Sequence, residues 1–468
     1  RDKISKGDWR SHLGRSESLF VNAATWGLMI TGRLVATRPE ASLGSALTRL
    51  IARGGEPIIR RGVEFAMTLL GQQFVMGETI DAALARSRDN VRKGYTHSFD
   101  MLGEAALTDA DAERYFLSYQ QAIHAIGQSA QQGVVEGPGI SVKLSALHPR
   151  YSRAQRERVL AELYPRLLAL AQLAKTYDIG FNIDSEEADR LELSQDLLDG
   201  LAFEPALAGW DGLAVAVQTY QKRALPLINH LIALARASGR RLMVRLVKGA
   251  YWDAEIKRAQ IDGLEGYPVY TRKPHTDLSY LVCARRLLAA DGIYPQFATH
   301  NAHTLATVER MAADLGVTDY EFQCLHGMGE TLYDRVVGDR SATHCRIYAP
   351  VGRHETLLPY LVRRLLENGA NSSFVNRIVD ENVKIEELVV DPLATVLETG
   401  GTAHPAIPLP SKLFGDERLN SAGLDLSNDR VLEQLTADLA DLKNKHWQAA
   451  PLIVGSGDKG DNESVIVN

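Results

Sequence analysis

What this chain of 468 residues lacks narrows it first. Its three cysteines, Cys283, Cys324 and Cys345, form no CxxC pair and no even framework, so they read as buried thiols in a reducing compartment. No signal peptide is visible. The longest apolar stretch, Leu19 to Ala36, is broken by Asn22, Thr25, Thr31 and Arg33, which excludes a membrane span and suits a packed helix. There is no excess of positive charge: 52 basic residues stand against 58 acidic ones, which does not favour nucleic acid as the main partner. No HExxH metal motif occurs, and no internal repeat beyond an alternation of strand and helix patterns. The first residue is Arg1 rather than Met, which reads as a piece of something longer. What is present, 45% hydrophobic and 24% charged residues, is ordinary for a soluble globular protein with one large domain plus extensions.

Residues 1–92 read as a helical arm or cap. Ser45–Arg53, Arg60–Leu70 and Glu78–Ser87 carry apolar positions at helical spacing. From residue 93 the pattern changes. Strand-like runs recur at His97–Gly103, Gly139–Ser145, Ile179–Asp184, Leu213–Gln218, Leu242–Lys248, Tyr294–Thr299, Tyr320–Leu325 and Cys345–Pro350. Between them lie helical stretches such as Arg153–Thr176, with Pro165 as a kink point, Leu225–Ser238, Ser279–Ala290 and Thr304–Leu315. Eight such units between residues 93 and 390 fit a distorted (β/α)8, TIM-like barrel. A doubly wound sheet would have fewer strands and a glycine fingerprint after the first, which is missing. Residues 391–468 read as an irregular C-terminal extension with one charged helix, Val431–Asn444.

The helix after the eighth strand separates into two faces. Tyr360, Arg363, Arg364 and Glu367 stack at i, i+3, i+4 and i+7, with Arg363 and Glu367 spaced for an ion pair. Leu358, Leu361, Val362, Leu365 and Leu366 form the side predicted to pack on a core. Thr356 is the predicted N-cap, Pro359 falls in the first turn, and Asn368-Gly369 gives the stop. Two guanidiniums, a phenol and a carboxylate on one face suit a small zwitterion, because Arg forks bind carboxylates bidentately.

In a (β/α)8 barrel the site lies at the C-terminal strand ends. Those ends supply Glu104, Lys143, Asp184, Gln218, Arg245 to Tyr251, Thr299-His300-Asn301, Leu325-His326 and Tyr348. So many polar groups in apolar strands are costly to bury without a task. Lys143 is either a Schiff-base nucleophile or one half of an ion pair with Asp184. Gly249-Ala250 lets backbone approach a flat ligand, with Tyr251 and Trp252 as aromatic surface. His300 and His303 share too few further ligands, Asp184 and His326, for a metal to be expected. His326-Gly327-Met328-Gly329-Glu330 has the look of half a phosphate loop.

The stretches Lys143–Tyr151, Asn182–Asp189, Arg245–Trp252, Phe297–His303, Gln323–Gly327 and Tyr360–Asn376 together resemble the proline dehydrogenase domain of the proline utilization A family. The resemblance implies FAD across the strand ends and oxidation of L-proline to Δ1-pyrroline-5-carboxylate, with electrons passed to a membrane quinone. It implies a substrate side of Lys143, Asp184, Tyr251, Leu325, Tyr348, Tyr360, Arg363 and Arg364. It gives the flavin to Gln218, Arg245, Val247, Lys248, Gly249, Ala250, Trp252, Thr271, Arg272, Lys273, Thr299, His300, Asn301 and Glu367. Thr271, Arg272 and Lys273 rest on the resemblance alone. It also implies a cytoplasmic protein with peripheral contact at the inner face of the membrane, and a downstream aldehyde dehydrogenase domain beyond Pro451. This chain shows neither that domain nor a ribbon-helix-helix segment, so no nucleic acid is expected for this fragment. A Schiff-base lyase or aldolase using Lys143 on the same barrel is the competing reading.

Overall fold

The computed structural model describes residues 71, 73–130, 132–338, 344–369, 383–442 and 445. The predicted helices before residue 71 lie outside them. Eight parallel strands close into a barrel: β1 (Tyr95–Met101), β2 (Gly139–Val142), β3 (Gly180–Ile183), β4 (Leu213–Gln218), β5 (Leu242–Val247), β6 (Ile293–Ala298), β7 (Glu321–Leu325) and β8 (His344–Val351), with β8 pairing back to β1. The helices are α1 (Ile80–Arg92), α2 (Asp109–Ser129), α3 (Arg156–Thr176), α4 (Leu191–Phe203), α5 (Ala224–Ser238), α6 (Trp252–Ile261), α7 (Lys273–Leu288), α8 (Ala302–Leu315), α9 (Glu330–Gly338), α10 (His354–Gly369), α11 (Pro392–Glu398) and α12 (Asp429–Leu442).

Strand alternation explains the core. Phe99, Val142, Phe181, Val217, Val244, Leu246, Phe297, Phe322 and Ile347 are buried with the helices in one continuous apolar cluster. The alternate positions, Ser98, Asp100, Ser141, Asn182, Arg245, Gln296, Gln323 and Arg346, are buried but polar. An aliphatic barrel interior is the usual solution, so this one spends its middle on hydrogen bonds. The N-terminal end is plugged by Arg346, whose Nε donates to Glu321 Oε1 at 2.8 Å and whose terminal nitrogens donate to Val135 and Gly137 carbonyls at 2.6 and 2.8 Å. The three cysteines are free and buried, as the sequence reading has it.

Local signals set the helix ends. Thr108 and Asp111 close a capping box on α2, and α8 ends at Gly316 with φ 66°. α3 runs from Arg156 to Thr176 with Pro165 inside it, at an exposed position. Three expectations shift. β2 stops at Val142, because Leu144–Leu147 turns into a short helix. α10 starts at His354, so Thr356 is not its N-cap: the Thr356 hydroxyl donates to Arg353 O at 3.1 Å. Pro359 accordingly sits past the first turn.

Candidate active site

The C-terminal barrel mouth is built on one ion cluster. Lys143 Nζ lies 2.8 Å from both Asp100 oxygens, 3.1 Å from Asp184 Oδ2 and 3.2 Å from the Tyr348 hydroxyl. Tyr348 donates to Asp100 Oδ2 at 2.6 Å. Arg245 joins through Asp184 Oδ1 at 2.9 Å and through Ser141 and Ser98 hydroxyls, both at 3.1 Å. Asn182 completes Asp184 from below at 2.8 Å. Burial works against the Lys143 ammonium, but the surrounding carboxylates win and hold its pKa well above the usual lysine range. Burial likewise pushes the Asp100 carboxyl up, and Lys143 and Tyr348 bind its ionised form. A Schiff-base lysine needs the opposite shift, so this geometry runs against the lyase reading. Sequence reasoning found the Lys143–Asp184 pair and missed Asp100, the closer partner. The signal was there: a carboxylate between Phe99 and Met101 in an apolar strand.

Over this cluster lies α10. Leu357, Tyr360 and Leu361 join Phe74, Val75, Leu102 and Met328 in a small apolar cluster, against which Leu325 and Tyr348 pack. That contact turns the polar face inward and buries Leu361, but only part of the predicted apolar face follows it. Arg364 is 6% exposed, while Val362 and Leu366 are 42% and 51% exposed. The reason is electrostatic: the mouth offers a carboxylate and aromatic faces, which suit guanidiniums better than leucines. Arg363 forks onto Glu104 at 2.7 and 2.9 Å, a partner the sequence reading did not name. Arg363 also lies over the Tyr251 ring at 5.0 Å, and Arg364 over the Tyr360 ring at 5.2 Å. Burial raises the Glu104 carboxyl, but the fork overrides it and leaves the group below the ordinary range. The Glu367 side chain lies outside the described residues.

The residues predicted to face a cofactor fall into several contacts. Gln218 ties two mouth loops together, donating to Glu186 O at 2.7 Å and accepting from Ala250 N at 3.2 Å. Lys248 and Lys273 share Asp277 on α7. Val247 closes β5, and the exposed Gly249 has φ +141°; a Cβ there would strike the Tyr220 ring at 2.4 Å. Trp252 Nε1 donates to Tyr270 O at 2.8 Å. Thr299 Oγ1 accepts from Asn301 N at 3.2 Å, and Asn301 caps α8. His300 Nε2 accepts from Leu325 N at 3.0 Å. Among the described residues no group of three metal-ligating side chains comes together. In the His326 loop the glycine has a packing reason. Gly327, φ +78°, is there because a Cβ would lie 2.1 Å from Gln73 O. Thr271 and Arg272 contact the C-terminal extension rather than the ion cluster.

Glu255, in the first turn of α6 beside Tyr251 and Trp252, was not found from sequence. It is buried and accepts from Ala188 N at 2.7 Å, which fastens α6 to the loop after β3. Burial pushes its carboxyl up to about 7. An acid raised on folding binds an extra proton in the native state, so it costs stability as pH rises from its unfolded value to about 7. Glu255→Gln keeps the acceptor and removes the titration. Its urea stability should fall less than the parent's between pH 5 and pH 8, by about 1–3 kcal/mol. Parallel pH profiles for the two chains would contradict this.

A family model described as proline dehydrogenase matches residues 83–377. The chain belongs to the proline dehydrogenase family. A second model, described as the DNA-binding domain of proline dehydrogenase, matches residues 1–74. That description stands against the expectation of no nucleic-acid partner for this fragment. The chain is similar to Bifunctional protein PutA of Klebsiella aerogenes, 60% identical over 479 residues, covering 100% of this chain and 36% of that protein. It thus spans about a third of that relative's length. Proline dehydrogenase 1 of Bacillus subtilis is 26% identical over 311 residues, 66% of this chain and 90% of that protein. A crystal structure of a Bradyrhizobium japonicum proline utilization A mutant superposes with TM-score 0.76 at 48% identity, over 94% of this chain and 45% of that one. The barrel is therefore a proline dehydrogenase domain. No helix among the described residues is long and apolar enough to cross a membrane.

Proposed function

We propose that this chain carries out FAD-dependent oxidation of L-proline to Δ1-pyrroline-5-carboxylate. The observation that carries the reading is the inward polar face of α10, which sets Arg363 and Arg364 over a mouth floored by Lys143, Asp184 and Arg245. The two arginines bind the substrate carboxylate, and Tyr251, Leu325, Tyr348 and Tyr360 enclose the ring. The far end of the substrate is thereby fixed, which orients the ring carbon next to nitrogen and excludes water.

The residues present fit a flavin. Arg245 Nε is a buried donor with no partner among the described residues, and Gly249 and Ala250 leave the β5 end open to a flat ring. Cations beside a ring that gains negative charge on reduction stabilise it. Gln218, Arg245, Val247–Ala250, Trp252, Thr271–Lys273, Thr299–Asn301 and Glu367 would hold FAD. When bound, it would supply a two-electron acceptor for the hydride that leaves the ring carbon next to nitrogen, its N5 being the accepting position that the family resemblance implies. Lys143 stays protonated and keeps Asp100, Asp184 and Tyr348 in place beneath the substrate. Electrons then pass to a quinone, with the chain in the cytoplasm and touching the membrane peripherally. A further aldehyde dehydrogenase domain in the full-length protein agrees with the 36% coverage of the bifunctional relative.

The test is a visible spectrum of the purified chain. We expect flavin absorbance that L-proline bleaches under anaerobic conditions. A chain that takes up no FAD, or one trapped by borohydride on Lys143, would favour the lyase instead.

A further inference from the structure

Beyond residue 377, outside the stretch that the proline dehydrogenase model matches, the extension runs back over the barrel. Residues 402–423 cross the loop between α6 and α7. Arg272 Nε donates to Thr402 O at 2.9 Å, and His404 N donates to Thr271 Oγ1 at 3.0 Å. The Tyr267 hydroxyl donates to Pro408 O at 2.6 Å, and Asn420 Nδ2 to Gln260 O at 3.0 Å. Ile407 packs on the buried cluster of Tyr220, Ile256, Ala259, Tyr267 and Val269. The strap also comes in at backbone contact distance. Gly423 N donates to Gly263 O at 3.0 Å, and a Cβ on Gly423 would lie 1.8 Å from Asp262 O. A Cβ on Gly263 would lie 2.0 Å from Ser421 O.

Four hydrogen bonds thus fall on this loop and a fifth on the last turn of α6 that leads into it. That loop leads into the start of α7, where Thr271, Arg272 and Lys273 bring a hydroxyl, a guanidinium and an ammonium together, a donor set for a diphosphate. A surface loop holding such groups unaided would lose ordering entropy each time the ligand bound.

We propose that residues 402–423 are a positioning strap for the cofactor: they pre-order the 262–273 loop, so that affinity for the diphosphate-bearing flavin depends on a segment outside the barrel. This rests on the FAD reading above. Thr402 takes the Nε of Arg272, and His404 donates to the lone pair of the Thr271 hydroxyl. The strap therefore acts through those two side chains.

The test is FAD titration of the apo form of the full chain, followed by flavin fluorescence. Gly423→Val wedges strap from loop and should weaken FAD binding about 10-fold. Arg272→Ala should also weaken it, but in the Gly423→Val background its further effect should shrink to about 2-fold. A merely structural strap would leave the two effects multiplicative. Should Gly423→Val not fold, the milder pair Ile407→Ala with Asn420→Ala carries the same expectation. A parent that binds FAD with variants of unchanged affinity, or with fully multiplicative effects, overturns the strap alone. A parent that takes up no FAD overturns the reading beneath it as well.

Discussion

Arg363→Met and Arg364→Met should each lower kcat/KM for L-proline by about 10- to 100-fold, mostly through KM, with FAD still bound. Each charge-assisted bond to a carboxylate is worth roughly 1.5–3 kcal/mol, which gives that range. The two variants should differ in one respect. Arg363 has a resident partner in Glu104, held by two bonds at 2.7 and 2.9 Å. A substrate carboxylate claims the same fork, so Glu104 competes with it. Arg363→Met also strands Glu104 as a half-buried carboxylate facing an anionic substrate. Adding Glu104→Gln to Arg363→Met should therefore recover about 3- to 10-fold in KM, a rescue that Arg364→Met does not share. Steady-state kinetics with the flavin content measured by absorbance separates substrate effects from cofactor loss. Unchanged proline kinetics in both single variants would falsify the assignment of α10 to the substrate.

The barrel was legible because period-2 runs alternate with period-3.6 runs, and all eight strand positions came out within a few residues. The strand ends were legible for the same reason, since polar groups at the close of apolar runs stand out. Lys143, Asp184, Arg245 and Tyr348 do meet. Asp100 left a signal that was passed over, a carboxylate between Phe99 and Met101, whereas Glu255 was not legible, because a carboxylate in a helix looks the same whether it faces water or a buried partner. Setting α10 after the eighth strand put its polar face over the mouth, but the exposure of Val362 and Leu366 was missed. Periodicity separates two faces, but which one is buried depends on what waits below. Here that is the fork of Glu104, a property of a loop more than 250 residues away. The strap was invisible because, Asn420 apart, its bonds are made by its backbone carbonyls and amides, which carry no sequence signal.

The largest stability loss should come from Lys143→Met. It leaves Asp100, which is fully buried, without its main counter-charge, and breaking one side of a buried pair costs about 3–5 kcal/mol. Tyr348 still donates to Asp100, and Arg245 still holds Asp184, so the site does not lose every partner. The stranded Asp100 has one escape, which is to take up a proton. Its folded pKa then lies above its unfolded value. Asp100 is already raised in the parent, so stability of Lys143→Met should fall more steeply than the parent's as pH rises through that folded value. Lys143→Met with Asp100→Asn removes both charges and should regain most of the loss, since a neutral pair in that space costs far less than a lone ion. Urea unfolding of the parent and both variants at pH 5 and pH 8 checks all three statements. If the double variant is no more stable than the single, then Lys143 does not exist to neutralise Asp100. Its raised proton affinity would need another source, and the argument against a nucleophilic lysine would lose its physical basis.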